Sequence, residues 1–319
     1  MDRKVRAPPK LMPGPATRGD GRLPLQTILS IKRPSMPAPA LPYFDQVLQR
    51  LEAGDPQLER CFGNHVHWGY WKDPHRSELA AMEEFPQAAE ALTRLMLDQA
   101  HLQAGESVLD VGCGFGGTIN SLNQHWDGLA LTGLNLDARQ IERARQFVQP
   151  RAANTIDWIV ADACALPLPA DSLDVVLAVE CIFHFPSRQA FLQEAQRVLR
   201  PGGRLVLSDF VPCRPLAILL RVLQSLRGAP FNNGTYGPVD CRWDQRRYAS
   251  QAKRHGLELR SDLDITLHTL PTYAVVRKLF GAMGAASAVQ DTARIEQLSR
   301  WGWIRYRILT FSKPIAAGP

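Results

Sequence analysis

The chain has 319 residues, of which 45% are hydrophobic, so it can form one α/β domain with insertions around a sizeable core. Its net charge of +6 comes entirely from residues 1–42, which hold eight basic and two acidic side chains. The rest of the chain carries 29 basic and 29 acidic residues. A neutral body has no electrostatic footprint for nucleic acid, so we expect a small-molecule partner and no nucleic acid.

The six cysteines are scattered, without a C-x-x-C pair or a zinc-ligand spacing. This usage is typical of reduced thiols in a cytoplasmic protein, and it predicts no metal site. No apolar run is long enough to span a bilayer. The oligomeric state stays open, and a homodimer is one of the alternatives.

Residues 1–42 contain nine prolines among small and basic residues, and they predict a disordered leader. The segment lacks the apolar core of a secretory signal. An organelle transit peptide and a start codon assigned too far upstream, with Met36 as the true start, stay open as alternatives. Order should begin near Tyr43.

Hydrophobic periodicity then predicts alternating helices and strands. We expect helices over residues 43–53, 86–102, 188–199, 216–226 and 244–255, and two helical segments within 269–303. We expect strands at residues 108–111, 129–136, 156–163, 172–179, 204–210, 257–266 and 304–312. The helix over 216–226 is apolar, which suits either a wall for a lipophilic substrate or a core or dimer contact.

A glycine-rich turn follows the first predicted strand, in the segment Val108-Leu109-Asp110-Val111-Gly112-Cys113-Gly114-Phe115-Gly116-Gly117. Glycines there let the backbone turn tightly and approach a ligand, and the helix that follows presents free N–H groups. Gly112, Gly114 and Gly117 satisfy the dinucleotide pattern G-x-G-x-x-G. Asp110 favours another ligand, because a carboxylate at the strand end attracts an ammonium group and repels a pyrophosphate.

The same segment resembles motif I of the class I S-adenosylmethionine methyltransferases. The Asp162-Ala163 pair and the Leu199-Arg200-Pro201-Gly202-Gly203 turn also match that family in order and spacing. The resemblance covers about residues 65–210. It implies a Rossmann-like α/β fold, with a seven-stranded sheet flanked by helices, an N-terminal cap and helical lid insertions.

The resemblance also implies S-adenosylmethionine as cofactor and names the residues around it. Motif I would contribute Asp110, Gly112, Cys113 and Gly114, and the second strand would grip the ribose through Asn135 and Leu136. The family usually has an acid at the position of Asn135; Asp137, two residues later, is expected to cap a helix. Asp162 and Ala163 would form the adenine site.

Residues 62–71 form an aromatic and imidazole cluster that ends in His67-Trp68-Gly69-Tyr70-Trp71. This form resembles the N-terminal cap of methyltransferases that act on natural products, quinones and sterols. Aromatic faces near a sulfonium and a dry site would both favour methyl transfer. We therefore expect Tyr70 and Trp71 to contact the cofactor, with packing against the main domain as the alternative.

Three residues are candidates for the proton transfer that methylation of a hydroxyl requires. His184 follows the fourth strand and Asp209 ends the fifth, and related O-methyltransferases carry an imidazole and an acid in the matching segments. A His184–Asp209 pair would accept the proton. Alternatively, Glu180 would act as cofactor contact or as base for carbon methylation of a prenyl diphosphate, which arginines 214, 221, 246 and 247 would hold.

The predicted architecture is a leader over 1–42 and a methyltransferase domain over 43–319, with a cap over 43–85 and lid insertions over 212–245 and 268–303. The predicted activity is methyl transfer to a small, lipophilic natural product of secondary metabolism. Oxygen is the expected acceptor atom, and carbon is the alternative. A NAD-dependent oxidoreductase and a non-catalytic subunit that only binds the cofactor are the rival interpretations.

Overall fold

A computed structural model describes residues 42–227, 231–233, 237–240 and 242–315. The predicted leader, apart from Pro42, lies outside these residues. The five cysteines among them, at positions 61, 113, 164, 181 and 213, are free thiols. In this part of the chain, no helix combines the length and the apolar character that crossing a membrane would require.

A mixed sheet of seven strands forms the centre of the molecule. The strands are β1 (Ser107–Val111), β2 (Ala130–Asn135), β3 (Thr155–Val160), β4 (Leu173–Ala178), β5 (Leu199–Pro212), β8 (Glu258–Asp264) and β9 (Ile304–Ser312). Their order is β3-β2-β1-β4-β5-β9-β8, and β6 (Phe231–Asn233) and β7 (Gly237–Val239) form a separate two-stranded sheet. The first five are parallel, whereas β9 is antiparallel to both neighbours. The predicted seven-stranded fold is confirmed.

Ten α-helices surround the sheet in the described part of the chain. They are α1 (Pro42–Glu52), α2 (Pro56–Phe62), α3 (Glu78–Ala100), α4 (Gly117–His125), α5 (Ala138–Phe147), α6 (Arg188–Val198), α7 (Arg214–Arg227), α8 (Gln245–Arg254), α9 (Thr266–Ala282) and α10 (Ala286–Arg300). A 3-10 helix, Ile182–His184, follows β4. The helices follow the predicted pattern of strands alternating with helices, which places crossovers on both faces of a parallel sheet.

Alternate residues of the strands supply two cores, one on each face of the sheet. Leu109 of β1 packs with residues of α6 and α8, whereas its neighbour Val108 packs with residues of α3 and α4. Burial on both faces explains why β1 and β4 are apolar almost throughout. Asp110 is the exception in β1.

Helix α3 begins eight residues earlier than predicted. Its N-cap is Ser77, whose side chain accepts a hydrogen bond from the backbone N–H of Ala80, and Pro86 lies inside the helix. The sequence predicts a start near Pro86 from the helical spacing of the apolar residues that follow it. The buried apolar face extends upstream of it through Ala81, Met82 and Phe85, and this packing stabilises the helix there.

Candidate active site

A cavity of about 300 Å³ opens at the carboxyl ends of the parallel strands. Such a position is expected for a ligand site in a parallel α/β sheet. Ten of the predicted site residues line it: Asp110, Gly112, Cys113, Gly114, Asn135, Leu136, Asp162, Ala163, Glu180 and His184. The structure therefore brings together most of the residues that the sequence singled out.

The glycine-rich loop forms the floor of the cavity. Gly112 has a φ of 66°, and a Cβ atom there would lie 2.6 Å from the Cβ atom of Cys181. A Cβ atom on Gly117, the first residue of α4, would lie 2.5 Å from Nδ1 of His65. Both positions require glycine. At Gly112 a side chain would strain the backbone and clash with Cys181, whereas at Gly117 it would only clash with His65.

We expect a Gly112→Ala variant to bind S-adenosylhomocysteine at least about tenfold more weakly, because the loop must move away from Cys181. Gly105→Ala is the matched control. Gly105 also has a positive φ, of 84°, but its Cβ atom would meet no atom within 4 Å. Calorimetric titration of both variants measures the effect, and equal affinities in the two would contradict it.

The Asp110 carboxyl lies at the inner end of the cavity. It is 1% exposed, and among the described residues neither of its oxygens has a hydrogen-bond partner. Burial raises its pKa to about 8. Burying an ionised carboxylate without a partner costs free energy, and a cationic ligand would offset this cost. The side chain therefore fits the ammonium group of S-adenosylmethionine.

Two amide side chains lie together at the end of β2. Asn135 Nδ2 donates a hydrogen bond to Gln140 Oε1 over 3.1 Å, and Asn135 Oδ1 accepts one from the backbone N–H of Asp137. Gln140 also lines the cavity. Asp137 accepts from the backbone N–H of Arg139 as the N-cap of α5, which confirms the predicted cap.

Gln140 was missed by sequence reasoning. Its position in the first turn of a helix that starts at a strand end could have indicated it, because such residues face the same ligand edge. An amide has both donors and an acceptor, so the Asn135–Gln140 pair can bind a diol that a carboxylate would bind in other chains.

Asp162 and Ala163 lie beyond the end of β3 and line the cavity. Asp162 Oδ1 accepts a hydrogen bond of 2.8 Å from the backbone N–H of Cys164. This bond fixes the carboxylate at the cavity wall. A carboxylate oxygen at this wall can accept a hydrogen bond from an exocyclic amine of a ligand.

Glu180 is held at the end of β4 in a left-handed conformation, with a φ of 50°. Its Oε2 accepts hydrogen bonds from the backbone N–H of Trp68 and from the hydroxyl of Tyr306, both over 2.8 Å. Burial raises the pKa of the carboxyl to about 8. A non-glycine residue with positive φ is strained, and such strain concentrates at functional sites. The geometry makes Glu180 a group that can exchange a proton near neutral pH.

His184 ends the 3-10 helix and reaches the cavity from the side of α1. Its Nε2 lies 3.3 Å from the hydroxyl of Tyr43, and the two rings stack. The Phe183 ring packs against the imidazole on another side, with the ring centroids 4.4 Å apart. The imidazole is therefore oriented by aromatic neighbours and a phenol.

The structure does not bring Asp209 to this cavity. Asp209 is fully buried, and its carboxylate accepts from Arg188 over 2.8 Å and from the hydroxyl of Tyr248. The preceding residue, Ser208, accepts from the backbone N–H of Glu180 through its hydroxyl. Since successive residues of a strand face opposite sides of a sheet, Asp209 points away from the site. Among the described contacts of Asp209 there is none with His184.

Tyr70 and Trp71 are also not among the residues that line the cavity. The indole N–H of Trp71 donates to Thr272 Oγ1 over 3.0 Å, and the Tyr70 ring stacks on His268. These contacts attach the cap to α9, which agrees with packing against the main domain. Of the cluster over residues 62–71, Asn64, His65, Val66 and His67 do line the cavity.

The two cap histidines form a buried polar chain against the glycine-rich loop. His67 Nε2 lies 3.1 Å from His65 Nδ1, and His65 Nε2 lies 2.9 Å from a carboxylate oxygen of Glu90. Burial lowers the pKa of His67 to about 3, so its ring is neutral. Sequence reasoning noted both residues in the aromatic cluster without assigning them to the site. Their H-x-H spacing was the available signal.

Comparison with known proteins agrees with this geometry. Residues 109–207 match the family model of a methyltransferase domain. The chain is 31% identical to 27-O-demethylrifamycin SV methyltransferase of Amycolatopsis mediterranei, over 81% of this chain and 93% of that protein. It is 29% identical to methyltransferase GfsG of Streptomyces halstedii, over 85% of this chain and 93% of that protein.

A solved structure shares the fold. Geranyl diphosphate C-methyltransferase from Streptomyces coelicolor, solved with Mg²⁺, geranyl diphosphate and S-adenosyl-L-homocysteine, matches with a TM-score of 0.60 and 20% identity. The match covers 87% of this chain and 100% of that one. The family model and the relative that is 31% identical show the family of this chain. The chain belongs to the methyltransferases that act on small molecules, and its cofactor is S-adenosylmethionine.

Proposed function

We propose that the protein methylates a hydroxyl group of a small, lipophilic acceptor and that His184 takes up the proton. The observation that carries this proposal is the position of His184, an oriented imidazole in the same cavity as the cofactor loop. An imidazole is suited to accept a proton near neutral pH. A relative at 31% identity is named for methylation on oxygen, which supports the same chemistry here.

We further propose how the chain holds its cofactor. Asp110 would bind the ammonium group, Asn135 with Gln140 the ribose hydroxyls, and Asp162 with Ala163 the adenine. Gly112, Cys113, Gly114 and Leu136 would line the remaining surface. S-adenosylmethionine supplies a methyl group on a positively charged sulfur, so the protein has mainly to position the acceptor oxygen and remove its proton.

In this proposal Tyr43 orients the His184 ring. Residues 43–85 would form a cap, and residues 212–245 and 268–303 the lid on the acceptor side. The cap contributes Tyr43 and the 64–67 segment to the cavity wall. Together these insertions would shield the reacting atoms from water.

His184→Gln tests the role of the base. We expect kcat to fall about 10²–10⁴-fold, because proton acceptance contributes factors of this size, while the affinity for S-adenosylhomocysteine stays unchanged. His75→Gln, at an exposed site outside the cavity, is the matched control. Turnover would be measured with an acceptor obtained by screening hydroxylated compounds for methyl uptake. A variant with unaltered kcat would refute the role of His184.

Carbon methylation with Glu180 as base is a second candidate. The strained backbone of Glu180 and the pKa of about 8 of its carboxyl favour it. Glu180→Gln would then abolish turnover while His184→Gln would not. The opposite pattern, together with a methyl ether as product, would support methylation on oxygen.

A further inference from the structure

Helix α7 has an unusual distribution of side chains. Its solvent-facing side carries Ile218, Leu219, Val222 and Leu226, which are 46%, 49%, 51% and 78% exposed. On its less exposed side Ala217 is buried, whereas Leu216, Leu220 and Arg221 are half-buried, and the Arg221 guanidinium contacts Asp244 over 3.3 Å. A surface helix ordinarily turns its apolar residues to the core and exposes polar ones, whereas α7 carries apolar residues on both sides. The exposed apolar side of α7 is therefore available to something outside the fold.

The exposed Trp303 is hydrogen-bonded to the residue before this helix, and the exposed Trp301 lies two residues earlier in the chain. Trp301 and Trp303 are 66% and 44% exposed. The backbone N–H of Cys213, the residue before α7, donates to the carbonyl oxygen of Trp303 over 2.7 Å. We call Ile218, Leu219, Val222, Leu226, Trp301 and Trp303 the α7 surface. Exposed apolar residues on one side of a helix are typical of an interaction site.

The charge of the chain indicates what this surface meets. The whole excess of +6 lies in residues 1–42, where the apolar positions Leu23, Leu25, Ile28, Leu29 and Ile31 are followed by Lys32 and Arg33. Arg214, at the start of α7, is exposed. A basic segment attracts an anionic surface, but it repels the same segment of a second copy. The charge thus favours an anionic lipid surface over a homodimer.

We propose that the α7 surface docks on an anionic phospholipid membrane, with α7 in the plane of the interface. Leucine, isoleucine and valine would enter the acyl boundary, and the tryptophans suit the headgroup level. The basic leader supplies the second attraction that stable binding requires in addition to one apolar face. Helix α7 follows the carboxyl end of β5, at the same sheet edge as the cofactor cavity, so docking would bring the cavity edge close to the lipid.

The test is sedimentation of the full chain with sucrose-loaded vesicles of phosphatidylcholine, alone or with one third phosphatidylglycerol. We expect binding to the mixed vesicles that weakens as salt is raised. The double variant Leu219→Gln with Leu226→Gln should bind at least about tenfold more weakly, because two apolar side chains leave the lipid. Leu79→Gln, which is also an exposed leucine but lies on α3, should bind as the wild type does.

Two further measurements complete the test. Replacing Arg3, Lys4 and Arg6 with glutamate should reduce binding to the mixed vesicles and leave any binding to pure phosphatidylcholine unchanged. The double variant should bind S-adenosylhomocysteine as the wild type does, so loss of docking is separable from loss of the methyl-transfer site. Absence of vesicle binding in the wild type would overturn the proposal. So would a concentration-dependent dimer that the double variant dissociates.

Discussion

An Asp110→Asn variant should bind S-adenosylhomocysteine about a hundredfold or more weakly than the wild type, while remaining folded. Neither oxygen of the buried carboxyl has a hydrogen-bond partner among the described residues, so both are available to the ligand's ammonium group, whose positive charge favours the ionised form. Removing one charge from a buried, hydrogen-bonded ion pair costs several kcal/mol of binding free energy, about 2–5. Calorimetric titration of both proteins at one pH measures the loss.

The same substitution should change how the stability of the cofactor-free protein depends on pH. The pKa of Asp110 is raised from 3.8 to about 8, so the folded state holds a proton that the unfolded state releases above about pH 4. The free energy of unfolding therefore decreases as the pH rises between these values, by at most about 1.4 kcal/mol per unit for this group. Asp110→Asn should remove this contribution, leaving that of Glu180.

Asp157→Asn, at an exposed position of β3, is the control for both measurements and should change neither. Urea unfolding at several pH values gives the stability profile. The assignment of Asp110 would fail if the asparagine variant bound the ligand with wild-type affinity. If the free energy of unfolding of Asp110→Asn depended on pH as that of the wild type does, the Asp110 carboxyl would not be buried in the protonated form.

The largest effect on stability is expected at Arg188. This side chain is 2% exposed and contacts Asp209 over 2.8 Å, the backbone carbonyl of Asp240, and the carboxylate of Asp240 over 3.5 Å. Arg188→Met should lower the free energy of unfolding by about 3–5 kcal/mol, because Asp209 would keep a buried charge without its partner. Thermal and urea unfolding measure the change.

A second substitution distinguishes the stability lost with the ion pair from the stability lost with the packing around Arg188. Arg188→Met combined with Asp209→Leu should recover much of the stability, because no unpaired charge remains. Arg300→Met, at an exposed arginine paired with Glu296, should cost no more than about 1 kcal/mol. If the stability lost by the double variant equalled the sum of the losses in Arg188→Met and Asp209→Leu, the two side chains would not be energetically coupled.

This buried ion pair also explains why Asp209, which the sequence predicted as part of a His184–Asp209 base, does not line the cavity. Its place at the end of a parallel strand predicted that it would face the ligand edge. Which face of the sheet it occupies depends on the register of β5, in which Ser208 bonds to Glu180. Arg188 lies 21 residues earlier in the chain, and only the folded chain brings its guanidinium against this carboxylate.

The contacts of the cap were likewise only partly predictable from the sequence. The cluster over residues 62–71 indicated a segment near the site, and its residues 64–67 do line the cavity. The chosen contacts, Tyr70 and Trp71, instead pack on α9, two hundred residues further along the chain. A sequence pattern shows that aromatic side chains will be buried, but it does not show which neighbour buries them.

What the sequence by itself determined is local or repeated along the chain. The glycine-rich turn, the cap at Asp137 and the apolar strands depend on backbone geometry and period, which neighbouring residues set. The tertiary structure alone decided the partners of Asp209, Tyr70 and Trp71, and the exposure of apolar side chains on α7. These depend on contacts between distant segments, whose free energy is realised only when the chain has folded.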